Sequence, residues 1–94
     1  MATAMWNGKV VAESEVFETV EGNVYFPLQT IKREFFRPSV NKTVCHWKGT
    51  ASYYTLAVDG KENVDAAWYY PTPKPEAARI KNHVAFWKGV TVTK

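Results

Sequence analysis

Ninety-four residues, 46% hydrophobic and 22% charged, make one domain over 1–94 with enough apolar content to build a core, which excludes a disordered chain and a two-domain layout. A single cysteine excludes an internal disulfide. The net charge of +3 is uneven, with one Lys against four Glu in residues 1–30 and five Lys/Arg against one Glu in 31–50. A basic middle of this kind attracts anions, but it lacks the dense Lys/Arg clustering and the aromatic signature of a nucleic-acid binder, so nucleic acid is not the expected partner. No apolar stretch approaches the ~18 residues of a membrane span and no basic-then-apolar leader opens the chain. Together with the lone thiol, these features make a soluble, cytoplasmic protein the expectation.

In chain order, "GKVVAES" and "SEVFETVEGNVYFP" predict two or three strands, with Val16 and Val20 on one face and turn chemistry at Gly22-Asn23. "PLQTIKREFF" reads as one helical turn at Leu28 and Ile31 that becomes extended by Phe35 and Phe36. "ASYYTLAVDGKENVDAAWYY" is the clearest hairpin. Tyr54, Leu56 and Val58 alternate before Asp59-Gly60, and Val64, Ala66, Trp68 and Tyr70 alternate after it. "PKPEAARIKN" suits a short helix over 75–81, with prolines at its start and Ala78 or Ile80 docked on the sheet. "HVAFWKGVTVTK" holds two more short strands around Lys88-Gly89, with Thr91 and Thr93 facing outward.

Three segments echo one another: Met5-Trp6-Asn7-Gly8, His46-Trp47-Lys48-Gly49 and Phe86-Trp87-Lys88-Gly89. Their flanks do not align as repeats do, so the echo reads as turn grammar, with glycine supplying the bend and tryptophan covering a sheet edge.

Four blocks, "EGNVYFP", "CHWKGTASYY", "DAAWYYPTPKPEA" and "HVAFWKGV", occur in an order and spacing that resembles domain-of-unknown-function family 427, which also carries a nucleotidyltransferase-like label. The resemblance runs from Trp6 to Val92 and implies a β-tent-like fold, a small domain of two antiparallel sheets. Cys45, Lys48, Gly49, Tyr54, Trp68, Tyr70 and Pro71 match the family pattern, whereas His46 stands where the family usually has proline and so inherits no role. β-tent domains bind zinc through paired cysteines, and this chain has no pair, so the resemblance implies the frame without metal or other cofactor.

The chemistry-bearing residues cluster around "TVCHWKGTASYY". Cys45 is a candidate nucleophile because Lys48 or His46 could favour its thiolate; the plainer reading is a small buried hydrophobe leading into a strand. A zinc site would need Cys45, His46, His83 and an acid, without any close ligand spacing to support it. Lys48 could present an ammonium to an anionic ligand; the plainer reading is a lysine lying over Trp47 with its charge in water. Asp59 and Asp65 are the carboxylates a nucleotidyl transfer would call on, and a turn and an edge position explain them equally well. No phosphate-loop motif is present.

The leading expectation is therefore an all-β domain that binds a small anionic or planar ligand in an aromatic-lined pocket, without catalysis. Trp47, Tyr53, Tyr54, Trp68 and Tyr70 would supply the walls, with Lys48 and Arg37 at the exposed rim. An enzyme using Cys45 or Lys48 and a self-associating structural domain or homo-oligomer are the competing classes. Alternation sets Tyr53 or Tyr69 on one face and Tyr54, Trp68 and Tyr70 on the other, and which face is core and which is pocket stays open at this level.

Overall fold

A computed structural model describes residues 1–94 and shows a protein built from strands and short 3₁₀ turns. The strands are β1 (Ala2–Trp6), β2 (Lys9–Ser14), β3 (Glu18–Val20), β4 (Asn23–Pro27), β5 (Phe36–Cys45), β6 (Gly49–Val58), β7 (Lys61–Tyr69), β8 (His83–Phe86) and β9 (Thr91–Thr93). They form two antiparallel sheets, one of three strands in the order β2-β1-β9 and one of six in the order β3-β4-β8-β7-β6-β5.

Turn chemistry sets this layout. Asn7-Gly8, Glu21-Gly22, Asp59-Gly60 and Lys88-Gly89 all have positive φ at both residues. That is the type I′ geometry whose twist matches antiparallel strands. The first three close hairpins. The fourth does something else, because Trp87 accepts from the Val90 backbone N–H across it while β8 stays in the large sheet and β9 crosses to pair with β1. The last two strands therefore tie the sheets together instead of pairing with each other.

The six-stranded sheet has two different faces. Val24 and Phe26 on β4, Leu56 and Val58 on β6, and Val84 and Phe86 on β8 join Ala2, Ala4, Val11 and Ala12 of the small sheet in a core of 14 buried residues. The intervening residues Tyr25, Ala51, Tyr70 and Ala85 point to the other face and form a second cluster of seven with Val20, Ala77 and Ile80. Alternation thus sends neighbouring residues into different cores.

The proline-rich segment takes the form of 3₁₀ turns over Pro75–Ile80, broken by a kink at Ala77, and docks through Ala77 and Ile80, while Ala78 is exposed. Two further 3₁₀ turns, Leu28–Thr30 and Arg33–Phe35, lead into β5, so Phe36 is extended as expected whereas Phe35 still belongs to a turn. Val16 lies outside any strand and is exposed, so it does not share a face with the buried Val20.

The alternation expected from Val64 to Tyr70 is interrupted. Asp65 has φ of 57° and the β6–β7 register shifts there, because β7 carries extra residues opposite Tyr54 to Leu56. This bulge leaves Val64 exposed and turns Ala66 toward the inner core beside Ala67, while Tyr69 keeps the inward phase of Asn63 and Trp68 and Tyr70 face outward.

Candidate functional site

The outer face of the large sheet is only partly covered. Pro75–Ile80 lies over one part of it, and beside that cover Lys48, Tyr53, Trp68, Tyr70 and Trp87 line a cavity of about 170 Å³. Each residue arrives there by a simple local rule. Tyr53 and Trp68 are direct cross-strand partners on β6 and β7, so their rings share a face. Tyr70 follows Trp68 by two residues, and Trp87 enters from the turn after β8 with its indole N–H donating to the Asp65 carbonyl at 2.6 Å.

The aromatic walls are held by edge contacts and hydrogen bonds. Trp68 makes edge-to-face contacts with Tyr25 at 6.2 Å and with Trp87 at 5.9 Å between centroids. Its indole N–H donates to the Tyr25 hydroxyl at 3.1 Å. Tyr53 and Thr43 share a hydrogen bond of 2.7 Å between their hydroxyls across the β5–β6 pair. Trp68 is half-buried, since one side of its ring faces the cavity.

Lys48 departs from the sequence expectation. It is 7% exposed and not displayed at the rim. It sits in the turn between β5 and β6, ion-paired with Glu21 from the β3–β4 turn, and its ammonium lies 5.4 Å from the Trp47 ring centroid and 5.7 Å from that of Tyr70. The hydrogen bond from Lys48, followed by its charge, holds the Glu21 carboxyl below its usual value. For Lys48 itself, burial works against the ammonium, but the Glu21 hydrogen bond together with Tyr25, Tyr70 and the Glu21 charge outweighs it, so its pKa moves up. Burial pushes the Tyr70 hydroxyl up to about 12, with Lys48 pulling the other way.

The remaining sequence candidates lie elsewhere. Tyr54 faces the inner side, where it stacks on Tyr69 at 4.8 Å and meets Phe36 edge-on at 5.4 Å. It belongs with Tyr69, and Tyr53 belongs with Trp68 and Tyr70, because Tyr54 pairs with Ala67 and Tyr53 with Trp68 across β6 and β7. Arg37 donates to the carbonyls of Glu34 and Phe36 near the start of β5 and is not part of the pocket wall. Trp47 is 37% exposed and flanks Lys48 from outside. Cys45 is half-buried against the outer-face cluster. His46 is exposed and contributes its carbonyl to Lys74.

Glu21, Tyr25 and Trp87 were not among the expected site residues. Glu21 stands 27 positions from Lys48, and no local spacing announces such a pair. Tyr25 sits in the run "VYFP", which reads as uniformly buried. Trp87 alone had a signal, the Trp-Lys-Gly segment shared with Trp47.

Asp59 lies in the β6–β7 turn, and Asp65 is engaged by Asn41 at 2.7 Å, with Ser39 and then Asn41 holding its carboxyl below its usual value. No three His, Cys, Asp or Glu side chains are grouped to hold a metal ion, and no helix is long and apolar enough to cross a membrane. No curated protein is similar enough to this chain to count as a relative. The family model described as Domain of unknown function (DUF427), labelled NTP_transf_9, matches residues 1–93, and the chain belongs to that family.

Proposed function

We propose that this protein is a binding module for a small planar ligand, taken up between the aromatic rings on the outer face of its large sheet. The observation that carries the reading is the convergence of Tyr53, Trp68, Tyr70 and Trp87 with a buried lysine around one cavity of about 170 Å³. A closed apolar cavity of about 150 Å³ accommodates one benzene, so the space here suits a single ring and is small for a nucleotide. Ring faces and edges supply stacking, and Lys48 supplies a charged donor at one end.

The lysine is better suited to holding a ligand than to reacting with one. A nucleophilic lysine needs its pKa lowered, and here Glu21 keeps the proton on. Because Glu21 also meets much of the Lys48 charge, the rings carry more of the recognition than the charge does, and a planar ligand with one hydrogen-bond acceptor fits better than a highly charged anion.

Benzoate, benzamide and adenosine monophosphate serve as probes of ring, charge and size, followed by thermal shift and by tryptophan fluorescence. The expected result is saturable stabilisation and quenching by a single-ring compound, absent in Trp87→Ala and reduced in Tyr53→Leu. A lack of response to all three probes, or an unchanged response in both folded variants, would remove the pocket reading.

A further inference from the structure

On the opposite side of the same sheet end, Lys42, Lys74, Thr50, Ser52, Thr72 and Gly49 border, with Pro71, a groove of about 480 Å³ in which no lining side chain is acidic. Thr50 and Ser52 alternate along β6 with Ala51 and Tyr53, so the groove and the aromatic pocket lie on different faces of one strand. We propose that this groove is a second binding site, for an oxyanion such as phosphate or a phosphomonoester.

The two lysines are placed, not merely present. Lys42 Nζ donates to the Ser52 hydroxyl at 2.9 Å, and Ser52 is buried. Lys74 Nζ donates to the His46 carbonyl at 2.6 Å, while its backbone N–H donates to the Lys48 carbonyl at 2.9 Å. Each ammonium has three donors and uses one, which leaves two on each for a ligand. The Ser52 hydroxyl accepts from Lys42 and keeps its own proton to donate, and Thr50 and Thr72 border the same space with two more hydroxyls.

Gly49 shapes the wall. Its φ is 115°, and a Cβ there would meet the Thr72 carbonyl oxygen at 3.3 Å and the Lys74 nitrogen at 3.5 Å. The absence of a side chain lets the 71–74 loop close onto the end of β6 and brings Lys74 to the groove. Of the five basic residues in 31–50, Lys48 belongs to the aromatic pocket and Lys42 to this site.

The test uses inorganic phosphate and ribose 5-phosphate at constant ionic strength, with chloride as the control anion, and amide chemical shifts of the full-length chain as the readout. Saturable shifts centred on Thr50, Ser52 and Thr72 are expected, with affinity reduced about tenfold or more in Lys42→Met/Lys74→Met, since charge-assisted hydrogen bonds are lost. Tighter binding of ribose 5-phosphate than of phosphate would assign the site to phosphomonoesters, and the reverse order to the free anion. Either order supports the site. Shifts scattered over other lysines, or equal affinity in the double variant, would overturn it. Lys74→Gln alone, which leaves the Lys42–Ser52 contact intact, covers the case in which the double variant does not fold. Because Trp87→Ala leaves every groove residue in place, phosphate binding in that variant separates a failure here from a failure of the aromatic pocket.

Discussion

The two faces of the six-stranded sheet are made by the same strands from alternate residues, yet they are finished differently. The inner face meets the small sheet through Val11, Phe26, Leu56 and Val84, all fully buried, and its aromatic contacts are ring against ring. The outer face is covered only where the Pro75–Ile80 turns dock, and its aromatics Tyr53 and Trp68 remain half-exposed around a cavity. A face sealed by a second sheet gains from complete burial, whereas a face with a partial cover keeps rings accessible and needs polar anchors to order them. The Trp68–Tyr25 hydrogen bond and the Lys48–Glu21 pair are those anchors.

The sharpest break in that comparison comes from truncating one residue on the sealed side. Leu56 is fully buried in the inner core, and Leu56→Ala should cost about 2–5 kcal/mol, the range for emptying a packed site. Urea unfolding measures it, and a loss below about 1 kcal/mol would show that the two sheets can collapse onto the gap.

A smaller effect is expected at the anchor of the open face. Lys48→Ala removes a charge-assisted hydrogen bond and the stem packed near Trp47 and Tyr70, and should cost about 1–3 kcal/mol. Glu21 is half-exposed, so water can solvate the carboxylate left behind. The pair also predicts a pH profile. Glu21 titrates lower when folded, so its contribution is present above the unfolded value of about 4.3 and lost as pH falls through the folded value. Lys48 titrates higher when folded, so its contribution is present below about 10.4 and lost as pH rises through the folded value. Stability should therefore be level between those limits, and Glu21→Gln should lower the plateau and flatten the part of each limb that belongs to the pair. Urea midpoints across pH check this, and a variant with unchanged limbs would remove the pair from the account.

The least effect is expected at the free edge. Val40 is 94% exposed on β5, next to the irregular pairing between Pro38 and Lys42, and Val40→Ala should change stability by no more than about 0.5 kcal/mol. Pro38, the irregularity and Lys42 all blunt the edge against further strand pairing. A large change on the same urea assay would indicate that this edge is covered in solution, which would favour self-association.

Much of this was readable in advance wherever a local rule decides. The Asp59-Gly60 hairpin, the side shared by Tyr54, Leu56 and Val58, and the bend at Gly49 follow from turn residues and period-two alternation. The bulge itself was not readable, because at a non-glycine Asp65 it has no distinctive signature; Asn63 and Ala67 on either side of it keep one phase, and only Ala66 turns out of it. The sequence grouping of Tyr54 with Trp68 fails for another reason: the Asp59-Gly60 hairpin pairs Val58 with Lys61, which puts the odd-numbered β7 residues, Tyr69 among them, on the side of Tyr54. The family blocks pointed correctly to the frame, but not to what the site binds.

Sequence alone determined that the chain would form antiparallel strands, since hydrophobic alternation and type I′ turn residues act over a few positions. Only tertiary structure decided that Lys48 would be buried against Glu21, that Trp87 would join Tyr53 and Trp68, and that β9 would leave β8 for β1. Those outcomes depend on which turns meet after the sheets pack. Residues this far apart in the chain come together through the sum of every register between them, and no short window of sequence contains that sum.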